Sequence, residues 1–379
     1  EFLNPDGSIT AEIFSQPIHW KNKHGKWEEI NNTIVPSSEV SSLPFKNGSN
    51  NIETFFAKNL KNQAVSRIRW KDNSIEFIPQ NTELTTGIPK GNKITYQKIY
   101  PSVDMQYTVL STGMKEDITL SDNSAPNTFT FAMKLQGLTP KAHKDGSIGF
   151  YDKQEVERFR STKPYATDSK EALTENVTSS IRQEGKQWYL DITLDQDWLK
   201  DPSRAFPVTI DPTVTFWSED SAQVKDTFTA ANYPTTPEYA KTFLTTGNNS
   251  VYGTSRAFLW FNLPSIPSGA NVQSAQLQLN QITSQTNTDT AIDVHRVLSA
   301  WSDTSLTWSN QPSYDTTAVG SIANTTMGAW PFDVSSLVKD WYNAKYANYG
   351  FMLKARDETT NRGDSVHKKM VIPRLTRNW

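Results

Sequence analysis

Cysteine is absent from the chain of 379 residues, which excludes disulfides, thiolate zinc sites, iron–sulfur clusters and cysteine nucleophiles. An excess of charge of one sign is also lacking, because 38 basic and 40 acidic residues leave a net charge of −2. Neither nucleic acid nor an anionic membrane surface is therefore an expected partner. No apolar run approaches the roughly 18 residues that a spanning helix needs, so membrane insertion is not expected.

No secretory signal peptide is recognisable, and the chain begins within a strand-like pattern. We therefore expect it to be a fragment of a longer polypeptide. A chain without cysteine that is rich in Trp, Thr and Asn suits a protein exported by a Gram-positive bacterium, where disulfides are little used. The expected location is secreted and associated with the cell wall.

Aromatic residues are abundant, with 12 Trp, 13 Tyr and 18 Phe. Together with frequent Thr and Ser and few aliphatic residues, they favour an all-β fold. Short segments of residues 1–212 alternate apolar and polar side chains, which indicates a β-rich adaptor or scaffold domain with room for two subdomains. A hairpin is predicted around the turn at Asn22–Gly25. The strand within Phe206–Pro212 is flanked by prolines and is predicted to be an edge strand.

Residues 213–379 differ from the first half in the spacing of their predicted strands. Short strands separated by polar turns predict a jelly-roll or β-sandwich module. One short helix is predicted after Asp333, where Leu337, Val338, Trp341 and Tyr342 form an apolar stripe. We expect Asp333 or Ser335 to cap this helix.

The segment from Ala300 to Pro312 places Trp301 and Trp308 in a Ser/Thr/Asn-rich setting that ends in Asn-Gln-Pro. A tryptophan ring presents a flat apolar face to a pyranose, so both residues are candidate sugar platforms. Alternatively, both pack in the core and hold the long connection between two strands.

Several further residues are candidates for glycan contacts. Four aromatic residues lie in polar, loop-like surroundings, which favours exposure: Trp217, Tyr233, Tyr239 and Tyr252. Arg256 begins a strand beside a loop and is a candidate partner for an anionic sugar, although a charge on the outer face of a strand is usually only solvated.

No cofactor is expected, apart from a structural Ca²⁺ for which Asp226, Asn248, Asp357 and Glu358 are candidate oxygen ligands. No Asp-x-Asp-x-Asp-Gly loop is present. Adjacent carboxylates such as Glu116 and Asp117 point to opposite faces of a strand, so they cannot flank one bond. The histidines show no metal-ligand spacing. We therefore do not expect an enzyme.

Ordered motifs in the second half resemble the DNRLRE-type module, which is related to carbohydrate-binding module family 96. They comprise Lys225–Phe228, Tyr233–Tyr239, Arg256–Pro264, Ile266–Leu279, Trp301–Pro312, Phe332–Val338 and Tyr349–Lys354. Ala240 departs from the glycine that this family usually has there. The first half resembles the segment that precedes such modules in bacterial wall-associated YD-repeat (Rhs-like) polymorphic toxins. That likeness is carried by Ile18–Ile30, Tyr100–Tyr107, Lys115–Ile118 and Phe206–Thr213.

The resemblance implies a non-catalytic region that attaches a secreted, contact-dependent toxin to cell-wall or surface polysaccharide. The YD-repeat region of the same polypeptide would then be a second partner, and any toxin nuclease would lie outside this fragment. Two alternatives remain. The region is a structural domain that plugs or anchors the YD-repeat shell without binding sugar, or it is a glycan-degrading enzyme.

Overall fold

The computed structural model describes residues 2–11, 13, 17–61, 63–170, 172–216, 224–239, 241, 243–266, 271–284, 291–323, 328–359, 362–371 and 375–378. The chain divides into two compact units, one formed by Pro17–Ser218 and the other by Glu1–Gln16 together with Glu219–Trp379. The predicted division at residue 212 differs from this arrangement, because it assigns residues 1–16 to the first domain. They belong to the other unit since Thr10 and Ala11 pair with Thr376 and Leu375.

The strands are antiparallel wherever they pair. The first twelve are β1 (Phe2–Leu3), β2 (Ile9–Ala11), β3 (His19–Lys21), β4 (Trp27–Glu29), β5 (Asn31–Pro36), β6 (Phe45–Ser49), β7 (Glu53–Phe56), β8 (Asn59–Leu60), β9 (Ser66–Trp70), β10 (Asn73–Pro79), β11 (Thr85–Lys90) and β12 (Lys93–Tyr100). The next are β13 (Val103–Leu110), β14 (Gly113–Leu120), β15 (Thr128–Gln136), β16 (Thr139–Ala142), β17 (Ile148–Tyr151), β18 (Glu157–Ser161), β19 (Tyr165–Thr167), β20 (Leu173–Thr174), β21 (Val177–Glu184), β22 (Gln187–Leu194), β23 (Val208–Asp211) and β24 (Val214–Phe216).

The remaining strands are β25 (Val224–Ala230), β26 (Phe243–Asn249), β27 (Gly253–Phe261), β28 (Asn271–Val272), β29 (Gln276–Ser284), β30 (Ile292–Val297), β31 (Tyr314–Ile322), β32 (Gly328–Asp333), β33 (Phe351–Ala355), β34 (Arg362–Val371) and β35 (Leu375–Asn378). The helices are α1 (Gln196–Lys200), α2 (Ser335–Tyr342) and a 3₁₀ turn at Trp308–Asn310. The all-β prediction is confirmed. Among the described residues, neither helix approaches the length and apolarity needed to cross a membrane.

Unit Pro17–Ser218 is built from two large sheets that share one core. An 8-stranded sheet runs from β21 to β5, and a 12-stranded sheet contains β8, β11–β14, β16–β20, β23 and β24. Aromatic rings meet between the sheets, with Phe56 5.6 Å from Tyr107 and Tyr100 5.5 Å from Phe129. Such ring pairs add to the burial of apolar surface that stabilises stacked sheets.

The predicted edge position of β23 is wrong, because Ile210 pairs with Ile118 on one side and Ala166 on the other. The flanking prolines lie outside the paired residues 208–211, so they remove no hydrogen bond from the ladder. The predicted hairpin is confirmed as β3 and β4, which pair with each other as a two-stranded sheet.

In the second unit, β31-β30-β33-β27-β26-β34-β29-β32 form one sheet, to which β25 is added through β27. Helix α2 confirms the predicted apolar stripe, since Leu337, Val338 and Trp341 are buried. The predicted caps differ from the structure, because Val334 occupies the N-cap position. Asp333 nevertheless accepts the backbone N–H of Ser335 at 2.9 Å.

Gly350 precedes β33 with φ +87°, and a Cβ atom there would run into the carbonyl oxygen of Leu259. We expect Gly350→Ala to lower the free energy of unfolding by about 3 kcal/mol, because it combines a left-handed backbone with a backbone clash. Gly7→Ala is the matched control, since Gly7 has φ +83° and open space around it. It should cost about 1 kcal/mol. Equal losses in denaturant unfolding would contradict the clash.

Candidate functional site

Arg256 on β27 forms a bidentate ion pair with Glu358, which follows β33. Arg256 Nε donates to Glu358 Oε1 at 2.8 Å, and Nη2 donates to Oε2 at 2.9 Å. The hydrogen bond to Glu358 raises the pKa of Arg256 above its usual value, so the guanidinium stays charged. Both side chains are 18% exposed, which leaves part of the pair accessible to a ligand. Such a bidentate pair fixes the orientation of the guanidinium and of the carboxylate and keeps both groups charged.

Aromatic and amide side chains surround the guanidinium. The Arg256 Cζ atom lies 4.9 Å from the ring centroid of Trp308 and 5.6 Å from that of Tyr314. Arg256 Nη1 donates to Gln311 Oε1 at 3.2 Å, and Gln311 Nε2 donates to the Trp308 carbonyl at 3.0 Å. Contacts of a cation with ring faces hold the guanidinium in place while Trp308 remains partly exposed.

A short turn brings Trp308 to this position. Asn310 Oδ1 accepts the backbone N–H of Thr307 at 2.7 Å, which closes the 3₁₀ turn. The backbone N–H of Ser309 then donates to the carbonyl of Pro234 at 2.9 Å, so the loop that contains Tyr233 lies beside the turn. We define the Arg256 cluster as Tyr233, Arg256, Trp308, Gln311, Tyr314 and Glu358.

Trp301 has a structural role. Its ring packs edge-on against Phe258 at 5.8 Å and against the core formed with Val297, Leu306 and Met352. Its indole N–H donates to the Tyr349 carbonyl at 2.8 Å. The core alternative therefore applies to Trp301, whereas Trp308 lies in the surface cluster.

The expected exposure of Tyr252 is wrong, because this residue is 3% exposed. Its ring lies 5.0 Å from Phe228 and 6.1 Å from Phe243, and Tyr233 packs over it at 6.0 Å. A ring in this position stabilises the core and offers no open face to a sugar. Tyr239 is partly buried. Trp217 lies outside the described residues.

Two of the candidate calcium ligands lie close together, because Asn248 Nδ2 donates to the backbone carbonyl of Glu358 at 3.4 Å. Glu358 is engaged by Arg256, and Asp357 accepts the N–H and hydroxyl of Thr359 at 2.9 and 2.6 Å within its own turn. Asp226 faces Leu259 in the strand register, further along β27 than Arg256. Among the described residues, no group of three or more His, Asp or Glu side chains is arranged to hold a metal ion.

The Arg256 cluster has the chemistry of recognition. It offers a flat apolar ring beside a guanidinium, an amide and a carboxylate, the groups that contact the C–H face and the hydroxyls of a sugar. A glycosidase would need two carboxyl groups on either side of the bond, whereas Glu358 is held by Arg256. Gln311 and Tyr314 were not predicted as contacts. Their signal in the sequence is their position at the end of the Trp308 motif.

Comparison with known families assigns most of the chain. Residues 16–213, more than half of the chain, match the model of the domain of unknown function DUF7948. The chain belongs to the DUF7948 family. After the DUF7948 segment, residues 213–370 match carbohydrate-binding module family 96, in agreement with the resemblance of the ordered motifs. The Arg256 cluster lies wholly within this second match.

The DUF7948 chain also has named relatives. It is 29% identical to the tRNA nuclease WapA of Bacillus subtilis (strain 168), with 98% of this chain and 16% of that protein covered. The same identity and coverage hold for the tRNA3(Ser)-specific nuclease WapA of Bacillus spizizenii. A wall-associated protein of Geobacillus stearothermophilus is 26% identical over 44% of this chain and 70% of its own length. The chain thus spans less than a fifth of the length of the nuclease relatives.

Proposed function

We propose that this chain is a non-catalytic region that binds cell-wall or cell-surface polysaccharide and attaches a secreted, contact-dependent toxin to the wall. The observation that carries the proposal is the match of residues 213–370 to carbohydrate-binding module family 96, within which the Arg256 cluster forms a partly exposed aromatic and ionic surface. The name of the wall-associated relative supports the same location.

The nuclease named in the WapA relatives is proposed to reside in a part of the polypeptide beyond this chain. The two family matches describe a carbohydrate-binding module and a domain of unknown function, and together they account for residues 16–370. A YD-repeat region between this chain and the toxin is a further proposal, which rests on the resemblance of the first half.

If polysaccharide binds at the Arg256 cluster, substitutions in this cluster should weaken the binding of the chain to cell wall. The full chain should sediment with purified Gram-positive cell wall, and Arg256→Gln should weaken this binding about tenfold, because charge-assisted hydrogen bonds to the ligand are lost. Trp308→Ala should weaken it to a similar extent through loss of stacking. Binding isotherms from sedimentation measure both effects.

Arg296→Gln is the matched control. Arg296 also has an 18% exposed side chain, pairs with Asp315 at 3.1 Å and lies 3.7 Å from the ring centroid of Tyr346. Its replacement should cost comparable stability and leave wall binding unchanged. Equal losses from the two arginine variants would contradict the cluster as the site. Failure of the intact chain to bind wall would contradict the function and favour the structural alternative.

A further inference from the structure

Hairpin β3–β4 presents a tryptophan to solvent in the unit that carries the DUF7948 match. Trp27 is 62% exposed, and all three residues of β4 are exposed. The two strands pair only with each other among the described strands. Trp27 therefore contributes little to the hydrophobic core. Its large apolar ring would bury much surface in contact with a ligand.

Hydrogen bonds of the Asn22 side chain brace the turn of this hairpin. Asn22 Oδ1 accepts the backbone N–H groups of His24 at 2.9 Å and Lys26 at 3.1 Å, and Asn22 Nδ2 donates to Glu28 Oε1 at 2.7 Å. Gly25 supplies the left-handed residue of the turn, with φ +77°. Because the turn is already ordered, the hairpin would lose less conformational entropy when a ligand binds.

Positive charge predominates at the turn of this hairpin. Residues 21–26 contain Lys21, Lys23 and Lys26 and no carboxylate, whereas Glu28 and Glu29 follow Trp27 on β4. The Lys21 ammonium lies 5.0 Å from the centroid of Trp27, because the two residues face each other in the strand register. A sugar stacked on Trp27 would therefore place an acidic substituent within reach of Lys21.

We propose that hairpin β3–β4 is a second polysaccharide contact, specific for sugars that carry a carboxylate or phosphate group. The sugar ring stacks on Trp27 and the acidic group pairs with Lys21, while Lys23 and Lys26 attract further charges of the polymer. The proposal rests on the proposed wall association for its choice of polysaccharide and is independent of the Arg256 cluster. Nucleic acid is disfavoured because the whole chain has a net charge of −2.

The test uses the full chain and four immobilised polymers: polygalacturonate for the carboxylate, phosphorylated dextran for the phosphate, unmodified dextran and duplex DNA. Trp27→Ala should weaken binding to at least one acidic polysaccharide about tenfold through loss of the stacked face. Lys21→Gln should weaken the same binding and reduce its dependence on salt. The arm that responds identifies the acidic group.

Leu84→Ala is the control, since Leu84 is a 71% exposed apolar residue of the same unit and should have no effect. Unchanged binding of Trp27→Ala to both acidic polysaccharides would overturn the proposal. An equal loss for duplex DNA would also overturn it, by showing unspecific attraction to polyanions. Introducing Trp27→Ala into the Arg256→Gln variant separates the two sites. Trp27→Ala should weaken binding to the acidic polymer as much in this variant as in the native chain, because the Arg256 cluster is a separate site.

Discussion

Replacing Glu116 with glutamine should stabilise the chain at pH 8, and the gain should disappear as the pH is lowered toward 4.5. Glu116 occupies an inward-facing position of β14, where Met114, Ile118 and Leu120 share its side of the strand and are buried. An ionised carboxylate at such a position is costly, because burial removes the water that would solvate its charge.

The surroundings of Glu116 favour its neutral form. Burial raises the pKa of Glu116 to about 8, opposed by the hydrogen bond that Tyr107 Oη donates at 2.5 Å and reinforced by the negative charges of Asp117 and Asp211. The carboxyl group lines a cavity of about 10 Å³ together with apolar side chains such as Phe77. Within the part of the chain that the structure describes, no ion pair reaches this carboxylate.

The sign of the pH effect follows from these values. An unfolded Glu116 releases its proton near 4.5, whereas the folded chain keeps it up to about 8. The free energy of unfolding therefore falls as the pH rises through this window, at up to about 1.4 kcal/mol per pH unit. Glutamine keeps the acceptor for Tyr107 but never ionises, so the variant escapes the loss. The difference at pH 8 should be on the order of 4 kcal/mol.

Glu76 provides the control, because it is 9% exposed, like Glu116, but lies beside Arg67 and Lys134. Glu76→Gln should destabilise the chain at pH 8, since it removes the partner of two cations. Urea unfolding of both variants between pH 4.5 and 9 measures the comparison. A Glu116→Gln variant that is no more stable than the native chain at pH 8 would show that the buried carboxyl is ionised at little cost.

Local patterns predicted the strands well because burial alternates along them. In β13 the buried positions alternate strictly, and the hairpin turn at Asn22–Gly25 follows from Asn and Gly at the positions that need them. The same parity indicates that Glu116 faces inward with Met114 and Ile118. By contrast, Tyr252 lies among polar neighbours in sequence, whereas its aromatic partners Phe228 and Phe243 come from two other strands.

Four of the six residues of the Arg256 cluster were singled out from the sequence, but their arrangement was not predicted. Tyr233, Arg256, Trp308 and Glu358 were each singled out, yet Glu358 was considered for Ca²⁺. The pairing of Arg256 with Glu358 joins residues 102 positions apart, and no local periodicity carries such information. Trp301 is a core residue and Trp308 a surface residue for the same reason. Trp301 contacts the carbonyl of Tyr349 and the ring of Phe258, which are distant in sequence.

Replacing Asp168 with asparagine should lower the free energy of unfolding at pH 7 by about 3–5 kcal/mol, the usual loss when one member of a buried ion pair is removed. Asp168 Oδ1 accepts the N–H groups of Lys170 and Ala172, both at 2.9 Å. Its Oδ2 accepts Arg204 Nη1 at 2.9 Å and the N–H of Ala205 at 3.1 Å. An amide would present its NH₂ group to one pair of donors and leave Arg204, with an 8% exposed side chain, without its countercharge.

The dependence of this loss on pH separates charge from geometry. Burial would raise the pKa of Asp168, but the hydrogen bonds from Ala205, Ala172, Lys170 and Arg204 outweigh it and lower the pKa. The stabilisation is therefore present at neutral pH and is lost as the pH falls through the lowered pKa, so the two proteins should converge in acid.

Asp152 has the same local arrangement as Asp168 and isolates the contribution of the buried arginine. Its Oδ1 accepts two backbone N–H groups of its own turn at 2.9 and 3.0 Å, and its Oδ2 accepts Arg158 Nε at 2.6 Å. The Arg158 side chain is 25% exposed, so water can solvate it when the carboxylate is removed. Asp152→Asn should therefore cost about 1–2 kcal/mol, mainly from the turn. Equal losses in the two variants, measured by urea unfolding at pH 7, would mean that the turn alone accounts for the effect and that burial of Arg204 adds nothing.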